Sequence, residues 1–236
     1  MAIAAVAVTA RAQSQPPGDQ SIQAAIVRTL QNEKLRHGNN PEVAVTNGVA
    51  RLTGQAQTLS EKEAIITAVR KTAGVTQTQS ELTIPRAESD RALADALGKG
   101  VFAYTKYSVF DDINLRVQNG AVTLEGLVTD GSKIGELGDI AARTRGVQSL
   151  QNNLRMYVAS QSDDRLRDTV ANRIFGSPNL QQYGQTRTPS IHILVEHNEV
   201  TLKGYVNSAM DKQQIDSIVR QTPGILKVTN DLQIAP

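Results

Sequence analysis

Asn119-Gly120-Ala121-Val122-Thr123-Leu124-Glu125-Gly126 decides how this chain folds. Asn-Gly is the pair favoured in two-residue hairpin turns, where both residues need positive φ. Leu115 and Val117 lead into the turn, and Val122 and Leu124 lead out. This period-two alternation puts one face of a hairpin on a core. The same pattern occurs at Asn47-Gly48-Val49-Ala50-Arg51-Leu52-Thr53-Gly54 and at His197-Asn198-Glu199-Val200-Thr201-Leu202-Lys203-Gly204. Val43 and Val45 precede the first turn, Ile193 and Val195 the third. The three stretches are offset by 72 and 78 residues, so the third copy carries six extra residues upstream of its hairpin, around Asn179 to Pro189. Such internal repetition must be found before any single element is assigned.

The spacing downstream is fixed as well. From Gly54, Gly126 and Gly204 the next glycine marker, Gly74, Gly146 or Gly224, lies 20 residues on, and Leu82, Leu154 or Leu232 follows after another 8. Gly54, Gly126 and Gly204 are expected to end the second strand of each hairpin, at a bend or close approach. Thr58, Asp130 and Ser208 are good N-caps for a helix that follows. Its apolar stripe is Ile65, Ala68, Val69; Leu137, Ile140, Ala141; and Ile215, Ile218, Val219. Gly74, Gly146 and Gly224 sit where a C-terminal glycine is expected to stop that helix. A closing strand is expected at Leu82 to Ile84, Leu154 to Met156 and Leu232 to Ile234. A further amphipathic helix precedes each hairpin, with Ile22, Ile26, Leu30; Leu93, Leu97, Val101; and Leu166, Val170, Ile174.

The fold class is therefore α+β: three tandem small αββαβ units, each a three-stranded mixed sheet covered by two helices on one face. The crossover from the second to the third strand makes that pair parallel. The units are placed at residues 20–85, 90–157 and 163–235. Residues 1–19 read as a short signal peptide and tail, with Ala10-Arg11-Ala12 fitting a small-x-small cleavage site. That reading places the protein in the periplasm or outside the cell.

Composition narrows the function. The chain has 25 Lys+Arg against 23 Asp+Glu, too balanced for a field that holds a polyanion. Aromatic residues make up 3%, which disfavours base stacking, so no nucleic-acid partner is expected. Cys is absent, which removes disulfides and Cys-ligated metals. No stretch after the N-terminal segment has the roughly 20 apolar residues of a membrane span, so a transmembrane protein is not expected.

A search for chemistry returns little. His37, His192 and His197 are the only histidines, and no carboxylate cluster completes a metal site with them. Gly98-Lys99-Gly100-Val101-Phe102-Ala103 has the spacing of a dinucleotide fingerprint, but it falls late in a helical pattern and is expected to mark where that helix frays or ends. Gly135-Glu136-Leu137-Gly138 also falls within a helix. Asp111-Asp112 precedes a strand, and Asp163-Asp164 starts a helix, where acids suit the dipole. No nucleophile elbow or phosphate-binding loop is present. The chain is read as no enzyme, with no cofactor and no metal. Arg70, Lys71, Arg143, Arg145 and Arg220 cluster at the ends of the second helices. Interaction with the helix dipole explains them, and binding of anionic headgroups is the functional alternative.

The three glycine-bounded hairpins, each followed by a helix and by Gly74-Val75, Gly146-Val147 or Gly224-Ile225, resemble the BON domain family (bacterial OsmY and nodulation domain). The resemblance covers residues 20 to 235. It rests on Gly48, Gly54, Gly74, Gly120, Gly126, Gly146, Asn198, Gly204 and Gly224, all structural positions. It implies a non-enzymatic envelope protein that associates with an anionic phospholipid surface, or with unfolded envelope proteins in a chaperone-like way, under osmotic stress. A protein–protein scaffold of the envelope is the alternative. It also suggests the first helices of later copies, within 90–106 and 164–175, as lipid-facing segments.

Overall fold

The structure, a computed structural model, describes residues 18–36, 38–185 and 189–235. The signal-peptide reading of the N-terminal segment and His37 lie outside the described residues. The first copy runs α1 (Asp19–Asn32), β1 (Asn40–Thr46), β2 (Val49–Gln55), α2 (Leu59–Arg70) and β3 (Gln77–Ser80). The second runs α3 (Asp90–Ala103), β4 (Asp112–Gln118), β5 (Ala121–Val128), α4 (Ser132–Arg143) and β6 (Ser149–Met156). The third runs α5 (Gln161–Phe175), β7 (Ile191–Glu196), β8 (Glu199–Val206), α6 (Ala209–Arg220), β9 (Lys227–Asn230) and β10 (Gln233–Ile234). Helix α1 thus begins at Asp19, inside the segment read as a tail.

Each copy is the expected αββαβ unit. The hairpin strands pair antiparallel, and the closing strand pairs parallel with the second hairpin strand. The turn residues take positive φ at Asn47 and Gly48, Asn119 and Gly120, and His197 and Asn198. The helical stripes meet the inward strand residues in one core per copy. In the second copy Leu93, Leu97 and Val101 of α3 and Leu137 of α4 close over Val122 and Leu124. Each such side chain contributes about 1.5–3 kcal/mol on burial.

Three details differ from the sequence expectation. The closing strand starts earlier than Leu82, Leu154 or Leu232, at Gln77, Ser149 and Lys227. In the first copy only the bridge Gln55–Thr83 remains of the expected strand, and in the third the strand breaks between β9 and β10. At the interruption Ser80 and Asn230 side chains accept from the N–H two residues on, at Leu82 and Leu232. The second difference is at Gly74, Gly146 and Gly224, which do not stop the helices. The helices end at Arg70, Arg143 and Arg220. There Thr72, Thr144 and Thr222 bond back to the carbonyls four residues earlier, at Ala68, Ile140 and Ile218. The marker glycines instead lie against the hairpin turns: Thr76, Gln148 and Leu226, two residues later, donate to the carbonyls of Gly48, Gly120 and Asn198. Third, β5 and β8 continue for two residues past Gly126 and Gly204, so of the two expectations for these glycines close approach is the one that applies.

The first helix of every copy carries a clamp. The Asp19 carboxylate accepts from the N–H groups of Asn47 and Gly48 at 2.8 and 2.9 Å. Asp90 does the same for Asn119 and Gly120 at 2.6 and 2.9 Å, and Asp163 for His197 and Asn198 at 3.0 and 2.8 Å. One carboxylate thereby satisfies both exposed amides of the turn and ties helix to hairpin. Burial works against the charge of Asp163, but the N–H groups of Asn198 and His197 and the Ser160 hydroxyl outweigh it and hold its carboxyl below the usual range. A depressed carboxyl pKa gives stability that is present above the unfolded value, about 3.9, and is lost as pH falls through the folded value. Asp163→Ala is expected to cost about 1–3 kcal/mol at neutral pH and to flatten the loss of stability below pH ~4, measured by urea unfolding across pH.

Candidate functional site

The described residues divide into two compact units. One is the first copy as far as Thr83, without residues 58–60, and the other runs from Ile84 through the second and third copies. In the second unit a seam joins the two copies. The loop before β4 begins it: the Val109 carbonyl accepts from the Ile193 N–H at 2.8 Å, and the Phe110 carbonyl accepts from the Tyr157 hydroxyl at 3.0 Å. Val109 and Phe110 pack against the core of the third copy. Arg167 lies 4.1 Å over the Tyr157 ring, Arg155 pairs twice with Glu196 at 3.1 and 3.2 Å, and Lys203 pairs with Asp112 at 2.6 Å.

The loop is held by a buried ion pair. Asp111 is fully buried, and the Lys133 ammonium on α4 lies 3.0 and 2.7 Å from its two oxygens. The backbone N–H groups of Ser108 and Thr129 donate to the same carboxylate at 2.8 and 2.9 Å. Asp111 precedes β4 as the sequence reading had it, whereas Asp112 is the strand's first residue, and the ion pair of Asp111 was not read. Aligning the copies relates Thr129 to Gln57 and Asn207. The N–H of Gln57 is met by the Asn39 side chain at 2.8 Å, and that of Asn207 by the Tyr183 hydroxyl at 2.8 Å. Tyr183 and the buried Leu180 come from the insertion of the third copy.

Beside the seam opens a cleft of about 610 Å³. Phe102 and Tyr205 stand at it with 53% and 51% of their surfaces exposed. Tyr107, His192, Asp112 and Lys203 form its polar part. The Tyr107 hydroxyl is 3.3 Å from His192 Nε2. Burial holds the His192 imidazole below the usual histidine value, against the pull of Asp112 and Asp111, which favours the neutral ring.

The other candidates separate. His197 is in a hairpin turn, where its N–H donates to Asp163. No group of three or more metal-ligating side chains occurs among the described residues. The stretch Gly98 to Ala103 forms the last residues of α3, which ends at Ala103, as its late place in the helical pattern suggested. A Cβ on Gly100 would meet Ile140 at 2.9 Å, so that glycine serves the packing of α3 on α4. Arg70, Lys71, Arg143, Arg145 and Arg220 are all exposed at helix ends. Arg143 and Arg220 are paired with Asp139 and Asp216 at 3.6 and 2.6 Å. No helix among the described residues is long and apolar enough to cross a membrane.

The described residues form a triple α+β repeat of one αββαβ unit. A profile of the BON domain matches residues 18–86, 89–156 and 162–236. The chain belongs to the BON domain family, whose domains are non-catalytic, envelope-associated and phospholipid-binding. No curated protein matches it by sequence. Among solved structures it is similar to CdsD, a structural protein of the type III secretion system of Chlamydia trachomatis, with 16% identity, 90% of this chain and 91% of that chain covered, and a TM-score of 0.25. The C-terminal domain of CdsD gives 15% identity, coverages of 90% and 96%, and a TM-score of 0.27. The PrgH periplasmic domain gives 10% identity, coverages of 86% and 100%, and a TM-score of 0.21.

Proposed function

We propose that the chain is a non-catalytic periplasmic protein that attaches to anionic phospholipid surfaces and serves there under osmotic stress. The observation that carries this reading is the pair of half-exposed rings, Phe102 and Tyr205, at one cleft, with the exposed Lys99 one turn before Phe102 on α3. Aromatic side chains with an apolar body suit the headgroup region, and each basic residue near an anionic surface contributes about 1 kcal/mol. Arg143, Arg145 and Arg220, and Arg70 with Lys71 in the other unit, are a secondary set in this proposal. Asp139 and Asp216 already offset two of these charges.

Co-sedimentation of the full chain with vesicles tests it. Binding is expected on phosphatidylglycerol-containing vesicles, weakened by salt and absent on phosphatidylcholine alone. Phe102→Asp is expected to weaken it at least about tenfold, since inserting a Phe side chain contributes about 1.5–3 kcal/mol. Equal recovery on both vesicle types, insensitive to salt, would sink the proposal.

A further inference from the structure

Two of the three hairpin turns are built on Asn-Gly, a pair that loses its side-chain amide readily. With no Cβ on the glycine, its backbone nitrogen reaches the side-chain carbonyl carbon of the asparagine before it. The nitrogen forms a bond to that carbon, the carbon's bond to the amide nitrogen breaks, and ammonia leaves with the proton of the glycine N–H. A cyclic imide remains, and water opens it at either carbonyl to aspartate or isoaspartate. Asn47-Gly48 and Asn119-Gly120 are the Asn-Gly pairs of the chain. Asn47 and Asn119 are exposed, and their side chains have no hydrogen-bond partner among the described residues. The third turn is different: Glu199 follows Asn198, and the Asn198 amide donates to the Gly224 carbonyl at 3.1 Å.

The turn geometry holds the pair in place. Asn47 and Gly48 have φ of 51° and 76°, Asn119 and Gly120 of 53° and 79°. A Cβ at Gly120 would lie 2.7 Å from the Gln148 side chain, and one at Gly48 would lie 3.1 Å from the Gly74 carbonyl oxygen. The nitrogen that would attack is also the one the helix clamp holds. The Gly48 N–H donates to Asp19 and the Gly120 N–H to Asp90, both at 2.9 Å. On the other side of the same glycines, their carbonyls accept from the N–H groups of Thr76 and Gln148 at 2.9 Å. To attack, the nitrogen must give up its proton and turn toward the side chain. A carboxylate seated on that N–H opposes both steps. A charge-assisted hydrogen bond is lost, and negative charge develops on the nitrogen beside negative charge. Carboxylates as a class are far too weak as bases to take an amide proton themselves.

We infer that Asn47 and Asn119 are deamidation sites and that Asp19 and Asp90, besides tying helix to hairpin, shield them from that reaction. The product undoes the arrangement that delays it. A new carboxylate at position 119 stands beside the clamping one and repels it. Isoaspartate also adds a methylene to the backbone of a two-residue turn, whose length sets the register of Gln118 on Ala121 and Val117 on Val122. This goes beyond the membrane reading and does not depend on it.

The test incubates the full chain in mildly alkaline buffer and follows each turn by peptide mass spectrometry, with isoaspartate separated from aspartate by chromatography. Asp90→Ala is expected to speed conversion of Asn119 at least about tenfold, the rate equivalent of one hydrogen bond to a charged group, and to leave Asn47 at the parent rate. Asp19→Ala should do the reverse. Asp163→Ala frees the third turn as well, but Asn198 should remain an amide because Glu199 follows it. Losing the clamp also loosens the fold, so Val101→Ala is the control. It opens a cavity in the core of the same copy with the clamp intact, and Asn119 should convert there at the parent rate. Asp90→Asn keeps the shape and one acceptor oxygen. Its rate should fall between those of the parent and Asp90→Ala, which keeps the test open if Asp90→Ala folds poorly. Conversion of Asn119 at the parent rate or slower in both Asp90 variants would overturn the inference. So would an equal rise in Val101→Ala, which would assign the reaction to unfolding, or no conversion of Asn119 in any variant.

Discussion

Replacing Lys133 with methionine is expected to destabilise the unit formed by the second and third copies by about 3–5 kcal/mol. The ammonium meets both oxygens of a fully buried carboxylate and the Thr129 hydroxyl at 2.7 Å. Methionine fills similar volume, so the loss is that of the ion pair: the buried carboxyl of Asp111 is left with only N–H and hydroxyl donors. The double variant Asp111→Asn, Lys133→Met should recover most of the loss. An amide is neutral and can accept from the Thr129 N–H as Asn39 accepts from Gln57. Urea unfolding of the three proteins decides the matter. A single variant within about 1 kcal/mol of the parent would mean that the pair is not the pin of the loop before β4.

Gly126→Ala is the second large effect. A Cβ at Gly126 would lie 1.8 Å from the carbonyl oxygen of Asp112, and φ there is +136°. The same clash is 1.9 Å at Gly54 with Asn40 and 2.1 Å at Gly204 with Ser190. Both partners are backbone, so no rotamer change relieves it, and the hairpin must part where Ile113 pairs with Gly126. A loss of about 4 kcal/mol or more is expected, enough to leave the second copy largely unfolded. Gly135→Ala on α4 is the control, since nothing lies within 4 Å of its Cβ position. It should gain roughly 0.5–1 kcal/mol from helix propensity. Thermal melting by circular dichroism should therefore move in opposite directions for the two variants, and equal melting would refute the clash.

What the sequence made legible was local. Asn-Gly turns, period-two strands and glycines at fixed intervals each act within a few residues, so the αββαβ unit and its core followed from them. The clamp was not read, because Asp19 acts on Gly48 from 29 residues away and the aspartates look like ordinary N-terminal acids. A signal was nevertheless present: Asp19, Asp90 and Asp163 each stand three residues before the first apolar helix position, at Ile22, Leu93 and Leu166. The recurring Thr72, Thr144 and Thr222 likewise announced the helix ends that were assigned to glycines. The seam had no such signal. It is built from residues that occur in one copy only, such as Tyr107, Lys133 and Tyr157, whose partners lie on other elements. Nothing in the sequence singled out Phe102 or Tyr205, because exposure depends on how the elements pack.

Tandem copies of one fold risk exchanging elements with their neighbours as the chain emerges, since each hairpin could close on the wrong helix. The groups that meet Gln57, Thr129 and Asn207 differ from copy to copy: an Asn side chain, a buried Asp and a Tyr hydroxyl. The position of Lys133 on its helix is Glu61 in the first copy and Asp211 in the third. A hairpin from the second copy docked on either of those helices would bury Asp111 against another carboxylate instead of an ammonium. Two carboxylates brought together out of water repel, a cost that the native pair of carboxylate and ammonium does not carry. Among the described residues the buried Lys133–Asp111 pair is thus one that neither of the other two helices can reproduce.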